Sequence, residues 1–255
     1  MSGQAQENKC ELSLKKFLYL EYGIPHTRDM ESTMMPITER KLSSHMYREL
    51  ENAIVECSLP PGTALSDREL AQQFGVSRTP VRDTLHLLES SGLVERGQRT
   101  GWAVTQIRLQ DVRELYELRA LLEPAGLGRI VEWEDDALLK VASMFDGFSV
   151  PMGQSEVEQY LTRDDEFHQL IIKATGNSQL TRAYYVVDRQ LARCKRFVSY
   201  QNDSRREDSL REHRLVCEAL GRRDEKAARN ALLDHIRIAE DALTGAIKAS
   251  APLST

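Results

Sequence analysis

The stretch that most constrains this chain runs from Leu65 to Leu85 and reads LSDRELAQQFGVSRTPVRDTL. Ser66 and Asp67 offer cap chemistry for a short helix from Arg68 to about Phe74. Gly75 supplies a turn, and a second helix runs from about Arg78 to Ser90 with Val81, Leu85 and Leu88 facing inward. Pro80 falls in the first turn of that helix, where a missing N–H costs nothing, and Ser77 is placed to cap it. Upstream, Leu42, Met46, Leu50, Ala53 and Ile54 form a helical stripe that Leu59-Pro60-Pro61-Gly62 ends. Downstream, Gly92 stops the helix, and Leu93-Val94-Glu95-Arg96 with Trp102-Ala103-Val104-Thr105 reads as a hairpin. Three short helices and a hairpin are the plan of a winged helix-turn-helix, expected over residues 37–105.

Charge does not advertise a nucleic-acid binder. The chain carries a net −5, and residues 37–105 hold eight Lys/Arg against nine Asp/Glu. The case for DNA therefore rests on where the arginines sit. Arg78 and Arg82 are i, i+4 neighbours at the start of the second helix, so both project from one face. A guanidinium fork there can take guanine O6 and N7 or clamp phosphate. Arg68 starts the preceding helix, Ser77 and Thr79 add hydroxyls, and Arg96, Arg99 and Gly101 mark a wing. Arginines on a helix are often merely solvated charges; the turn and wing around these favour contact.

This segment resembles the DNA-binding domain of the GntR family of bacterial regulators. The family pattern runs L-x-S-E-R-E-L-A, then G-V-S-R-T-P-V-R, then L-x-x-L-E-x-x-G-L-V, and residues 40–105 follow it closely. The resemblance implies DNA contact by Arg68, Arg78 and Arg82, assisted by Ser77, Thr79 and Gly101. Two departures, Asp67 where glutamate is commoner and Leu65 directly before Ser66, are expected to leave the arginines untouched. One such domain makes few base contacts, so a homodimer on a pseudo-palindromic double-stranded operator is expected.

Beyond Ile107 the pattern changes to long amphipathic helices. Val112, Leu115, Leu118 and Leu122 step by three and four until Pro124, and Leu138, Val141, Ala142 and Phe145 mark a further segment. Helices are expected at about 155–174, 179–200, 206–221 and 224–248, with no useful strand pattern after Thr105. The expected fold is mainly α: a winged helix-turn-helix followed by an all-helical bundle over 109–248, with a flexible polar extension at 1–36 and a tail at 249–255.

Within the bundle segment, Asp164 and His168 are i, i+4 on one helix face, and His213 and His235 lie on two later helices. One carboxylate and three imidazoles suit a divalent ion, zinc first, with nickel, manganese and iron also fitting. Spacing alone leaves open that these are hydrogen-bonded core histidines and a surface Asp-His pair. Residues 109–248 also resemble the FCD domain, the helical effector domain of the FadR-like branch of GntR regulators. The resemblance is carried by Leu115-Tyr116-Glu117-Leu118-Arg119-Ala120-Leu121-Leu122-Glu123, by Asp164 with His168, by Thr175-Gly176-Asn177, and by His213 and His235. It implies a divalent metal bound by Asp164, His168, His213 and His235, with room in the shell for a small carboxylate effector. Arg119 is a candidate clamp for that ligand, or a salt-bridge partner of Glu123; Tyr116 and Asn177 are further lining candidates, with Arg163 and Arg193 weaker ones.

The function expected is a ligand-responsive DNA-binding regulator, a repressor released by a carboxylate, rather than an enzyme. An acyl-CoA-responsive regulator of the same fold is the nearest alternative, and a sensor of the metal itself is another. A metal-dependent enzyme would need a general base, and Glu166, two residues from both Asp164 and His168, points elsewhere. No run of 18 apolar residues and no secretory leader is present, and Cys10, Cys57, Cys194 and Cys217 lack close pairing. A cytoplasmic protein without membrane partners is expected.

Overall fold

The computed structural model describes residues 39–97, 101–199 and 203–250. The expected extension at 1–36, Arg99 of the wing and most of the tail lie outside the described residues. The chain divides between Gln106 and Ile107 into two compact units.

In the first unit, α1 (Glu39–Val55), α2 (Asp67–Phe74) and α3 (Arg78–Ser90) pack with strands β1 (Ala64–Leu65), β2 (Val94–Arg96) and β3 (Trp102–Val104). The sheet order is β1-β3-β2, antiparallel throughout, with Leu65 opposite Trp102 and Val94 opposite Val104. Its core joins Met46, Leu50 and Ile54 of α1 to Leu70 of α2, Val81, Leu85 and Leu88 of α3, and Trp102 and Val104 of β3. The Ser66 hydroxyl accepts the Glu69 N–H at 3.3 Å and starts α2, while Gly75 ends it at φ +66°, a left-handed conformation that glycine adopts without steric cost. Strand β1 is an addition to the expected hairpin: at two residues it carries no readable alternation.

The second unit is helical: α4 (Leu109–Leu122), a 3₁₀ turn (Glu123–Gly126), α5 (Leu127–Ile130), α6 (Asp135–Ala142), α7 (Gln154–Ala174), α8 (Ser178–Ser199), α9 (Asp203–Gly221) and α10 (Glu225–Ser250). Pro124 ends α4 by converting its last turn to 3₁₀. Val112 and Leu115 of α4, Phe145 after α6, Phe167 and Ile171 of α7, Leu191 of α8, Val216 and Leu220 of α9, and Leu232 and Ile236 of α10 share one core. Among the described residues no helix is long and apolar enough to cross a membrane.

The 3₁₀ turn lies close against α7. A Cβ added at Gly126 would stand 1.8 Å from the Ile171 carbonyl oxygen, so only glycine lets the turn lie against this helix. That approach seats Glu123 beside His168 of α7. Gly126→Ala is therefore expected to cost about 1–3 kcal/mol by forcing the backbones apart, read from urea unfolding of the pure protein. An unchanged midpoint would mean that the turn does not need this contact.

Candidate functional site

The first unit presents an amphipathic α3. Val81, Thr84, Leu85 and Leu88 are buried, whereas Ser77, Arg78, Thr79 and Arg82 are exposed at the helix start. Ser77 occupies the N-cap position in extended conformation, yet its hydroxyl makes no cap bond, so it does not serve as the cap that its type suggested. Arg68 is exposed at the start of α2. Gly101 has φ +121° at the base of the wing, with the Gly97 N–H donating to its carbonyl at 3.1 Å. Arg96 lies over the Trp102 ring at 4.2 Å, which gives the wing a rigid basic side.

Asp67 changes the expected picture of the arginines. Arg78 Nη2 donates to both Asp67 oxygens at 2.8 and 2.9 Å, and Arg82 Nε donates to Oδ2 at 2.7 Å. The expectation that this departure leaves the arginines untouched is thus corrected: the first residue of α2 faces the first turns of α3 across the Gly75 turn. Hydrogen bonds from Arg78, then from Arg82, hold the Asp67 carboxyl below the usual carboxylate range. Both guanidinium groups stay more than half exposed, with N–H groups left over for a ligand. One carboxylate therefore sets the orientation of two forks on one helix face.

In the second unit the structure brings Asp164, His168, His213 and His235 together. All four are buried, and one ligand atom from each lies within 4.8 Å of every other. His213 Nε2 stands 3.0 Å from Asp164 Oδ1 and 3.3 Å from His168 Nε2, and His168 Nε2 stands 3.9 Å from the same oxygen. Neighbouring atoms bound at about 2.0–2.2 Å to one ion would lie about 3.0–3.5 Å apart, so the donor set fits a divalent cation.

The outer ring of hydrogen bonds turns the imidazoles the same way. His168 Nδ1 donates to Glu123 Oε2 and His235 Nδ1 donates to Glu212 Oε2, both at 2.8 Å. His213 Nδ1 lies 3.1 Å from the Tyr160 hydroxyl, which donates onward to Ser209 at 2.7 Å. Each Nδ1 is thereby occupied, and the Nε2 atoms of His168 and His213 face each other and the Asp164 carboxylate, an arrangement that suits a cation between them. Burial, followed by the Arg119 charge, lowers the His168 pKa. Burial, followed by His213 and His168, puts His235 well below its usual value. These two rings are neutral, the form that coordinates metal.

Carboxylates nearby stay ionised. Burial alone would raise Glu123, but Arg119 and His168 overcome it and bring its pKa down to about 2. Asp164 is opposed by burial in the same way and is held well below the carboxylate range by Lys195 and His213. Lys195 Nζ donates to the second oxygen of Asp164 and to Asp165 at 2.5 Å.

Beside the cluster lies a cavity of about 600 Å³ whose wall includes Tyr116, Arg119, Tyr160, Asp164, Lys195, Arg205, Arg206, Ser209 and His235. Arg119 is 2% exposed, and its Nε donates to Glu123 at 2.5 Å. Its Nη2 is buried with no hydrogen-bond partner, so both readings of this residue apply: a salt bridge at one end and an unspent donor at the other. Asn177 is elsewhere: exposed, it caps α8, its Oδ1 accepting the Gln179 and Leu180 N–H groups at 3.0 and 3.2 Å. Arg163 is exposed and pairs with Glu166 at 3.4 Å, and Arg193, though buried, is not among the lining residues. Sequence reasoning missed Lys195, Glu212 and Tyr160; no spacing rule links them to the ligands they orient.

Comparison with known proteins identifies both units. Residues 42–104 match the gntR family of bacterial regulatory proteins, and residues 114–238 match the FCD domain. An HTH-type transcriptional regulator from an unstable DNA locus of Streptomyces ambofaciens is 30% identical over 198 residues, covering 77% of this chain and 82% of that protein. The HTH-type transcriptional repressor RspR of Escherichia coli strain K12 is 28% identical over 199 residues, covering 77% of this chain and 86% of that protein. The crystal structure of a putative GntR regulator from Rhodococcus sp. RHA1 shares the fold, with a TM-score of 0.67 at 21% identity over 80% of this chain and 98% of that one. The chain belongs to the gntR family of bacterial regulatory proteins, and it is a DNA-binding transcriptional regulator with an FCD domain.

Two outcomes are expected. In Asp67→Ala the untied arginines and the lost negative charge should tighten non-specific DNA binding while the specific-to-non-specific ratio falls by about 1 kcal/mol or more, read by fluorescence anisotropy at one salt concentration. An unchanged ratio would show that the arginines read DNA without Asp67. Glu123→Gln and Glu212→Gln should each weaken metal affinity about 10–100-fold, measured by competition with a chelator; wild-type affinity in both would remove the outer ring from the account.

Proposed function

We propose that this regulator is a homodimeric cytoplasmic repressor, released from a pseudo-palindromic operator when a small carboxylate binds beside a divalent metal. The observation that carries this reading is the buried set of Asp164, His168, His213 and His235, with Arg119 among the residues lining the adjoining cavity. Zinc is the first candidate for this donor set, and nickel, manganese or iron suit it as well. When bound, the ion supplies positive charge and open coordination positions for an acid oxygen. Arg119 then offers a charge-assisted hydrogen bond to the acid, and Tyr116 flanks it.

At the DNA end, Arg68, Arg78 and Arg82 contact the operator, with Ser77, Thr79 and Gly101 assisting at the helix start and the wing. Support comes from the exposure of the helix-start residues and from Asp67, which orients two of the three arginines. The homodimer is supported by Leu118 and Leu121, 42% and 69% exposed and one turn apart on α4. The carboxylate acts by linkage: a ligand that favours one arrangement of the regulator changes operator affinity by the coupling energy, and about 1–3 kcal/mol suffices for a roughly 5–150-fold change.

The reading is tested on operator fragments selected from genomic DNA with the purified protein. Metal-loaded protein should lose operator affinity by about 5-fold or more on addition of the cognate acid. Chelated protein and the His213→Ala/His235→Ala variant should bind no stoichiometric metal and lose the response, while keeping non-specific DNA binding. Stoichiometric metal in that variant, or an acid response unaffected by chelation, would contradict the proposal.

A further inference from the structure

The cavity beside the metal-ligand cluster is built of two unlike parts. Near His235 its wall is charged, with Arg119, Asp164 and Lys195 among its residues. From there one side follows α10, where Ala239, Ala242, Ala246 and Ala249 recur at three- and four-residue spacing and line the same space. At about 1.5 Å of rise per residue, Ala242 and Ala246 stand about 10 and 16 Å along the helix from His235. Alanine side chains leave width there and offer nothing for a hydroxyl to hydrogen-bond. Across the space, Arg205 donates from its two Nη atoms to the two Glu212 oxygens, at 3.0 Å each. Ser209 is engaged by Tyr160.

Volume points the same way. About 600 Å³ lies within the roughly 300–1,000 Å³ of pockets for drug-sized ligands. A two- or three-carbon acid would fill only the charged end and leave water against the alanine wall, where apolar burial is the favourable use of that surface. Hydroxyls of a polyhydroxylated acid that lie against the alanine side chains would be desolvated without partners there, with Arg206 and Asp241 the polar groups elsewhere along the lining.

We propose that the effector is a carboxylic acid with an apolar body of more than three carbons. Its acid group sits at the charged end beside Arg119 and Lys195, and its body runs along Ala239 toward Ala242. This inference rests on the carboxylate reading above and names the class of acid.

The test uses full-length, metal-loaded protein and isothermal titration with 2-hydroxy acids of three to six carbons, then gluconate. The last two probes, 2-hydroxyhexanoate and gluconate, share carbon number and head group and differ in whether the body is hydroxylated. Affinity is expected to rise about fourfold with each methylene from 2-hydroxypropanoate to 2-hydroxyhexanoate, and gluconate is expected to bind at least about tenfold more weakly than the latter. Ala242→Phe, with metal content measured alongside, is expected to weaken 2-hydroxyhexanoate by about tenfold or more. A flat series, or gluconate binding as tightly as 2-hydroxyhexanoate, would overturn the apolar body and leave the acid reading standing. Unchanged 2-hydroxyhexanoate binding in the variant would overturn its placement along α10. No binding of any of these acids to metal-loaded protein would overturn the carboxylate reading and this inference with it.

Discussion

A carboxylate with no exposed surface holds the helical unit in register. Glu123 accepts from Arg119 in the last turn of α4, from Tyr184 of α8 at 2.5 Å and from His168 of α7 at 2.8 Å. A buried charge with one missing partner is costly, so these three elements are bound to a single arrangement. Gly126, three residues on, removes the Cβ that would keep the turn from α7. The same carboxylate orients a member of the metal-ligand set and the cavity's buried arginine. Whatever displaces Glu123 is felt at both, so the candidate metal ligands and the cavity wall share one buried carboxylate.

The DNA-binding unit solves a different problem with the same chemistry. Its overall charge is slightly acidic, so a diffuse basic field does not supply its affinity. Instead the cations are focused: Arg78 and Arg82 share one helix face, and Asp67 holds both without burying either. The carboxylate that dilutes the charge count is also the one that organises the forks. Specificity from placed guanidinium groups is compatible with an acidic protein, because base edges reward geometry and phosphates reward charge.

How much of this was legible in the sequence depended on the range of the interaction. Helical periodicity located the long helices of the bundle to within a few residues, since every turn repeats the message. Strand β1, two residues long, carries no period at all. Asp164, His168, His213 and His235 could be brought forward by residue type and by resemblance, but the residues that orient them could not. Glu123, Tyr160, Lys195 and Glu212 reach their partners from different helices at irregular separations. Asn177 followed a glycine and read as a lining candidate, whereas its amide does the commoner work of capping α8. Asp67 looked like a conservative departure because its partners lie 11 and 15 residues away, across a turn.

Three imidazoles and one carboxylate of the FCD domain are the proposed metal centre, open to an acid. X-ray absorption at the zinc edge of the zinc-loaded protein tests it most directly. A shell of nitrogen and oxygen scatterers at about 2.0–2.2 Å is expected, with outer-shell scattering from three imidazoles, no sulfur, and a changed shell when a binding acid is added. Sulfur in the first shell, or fewer than three imidazoles, would contradict it.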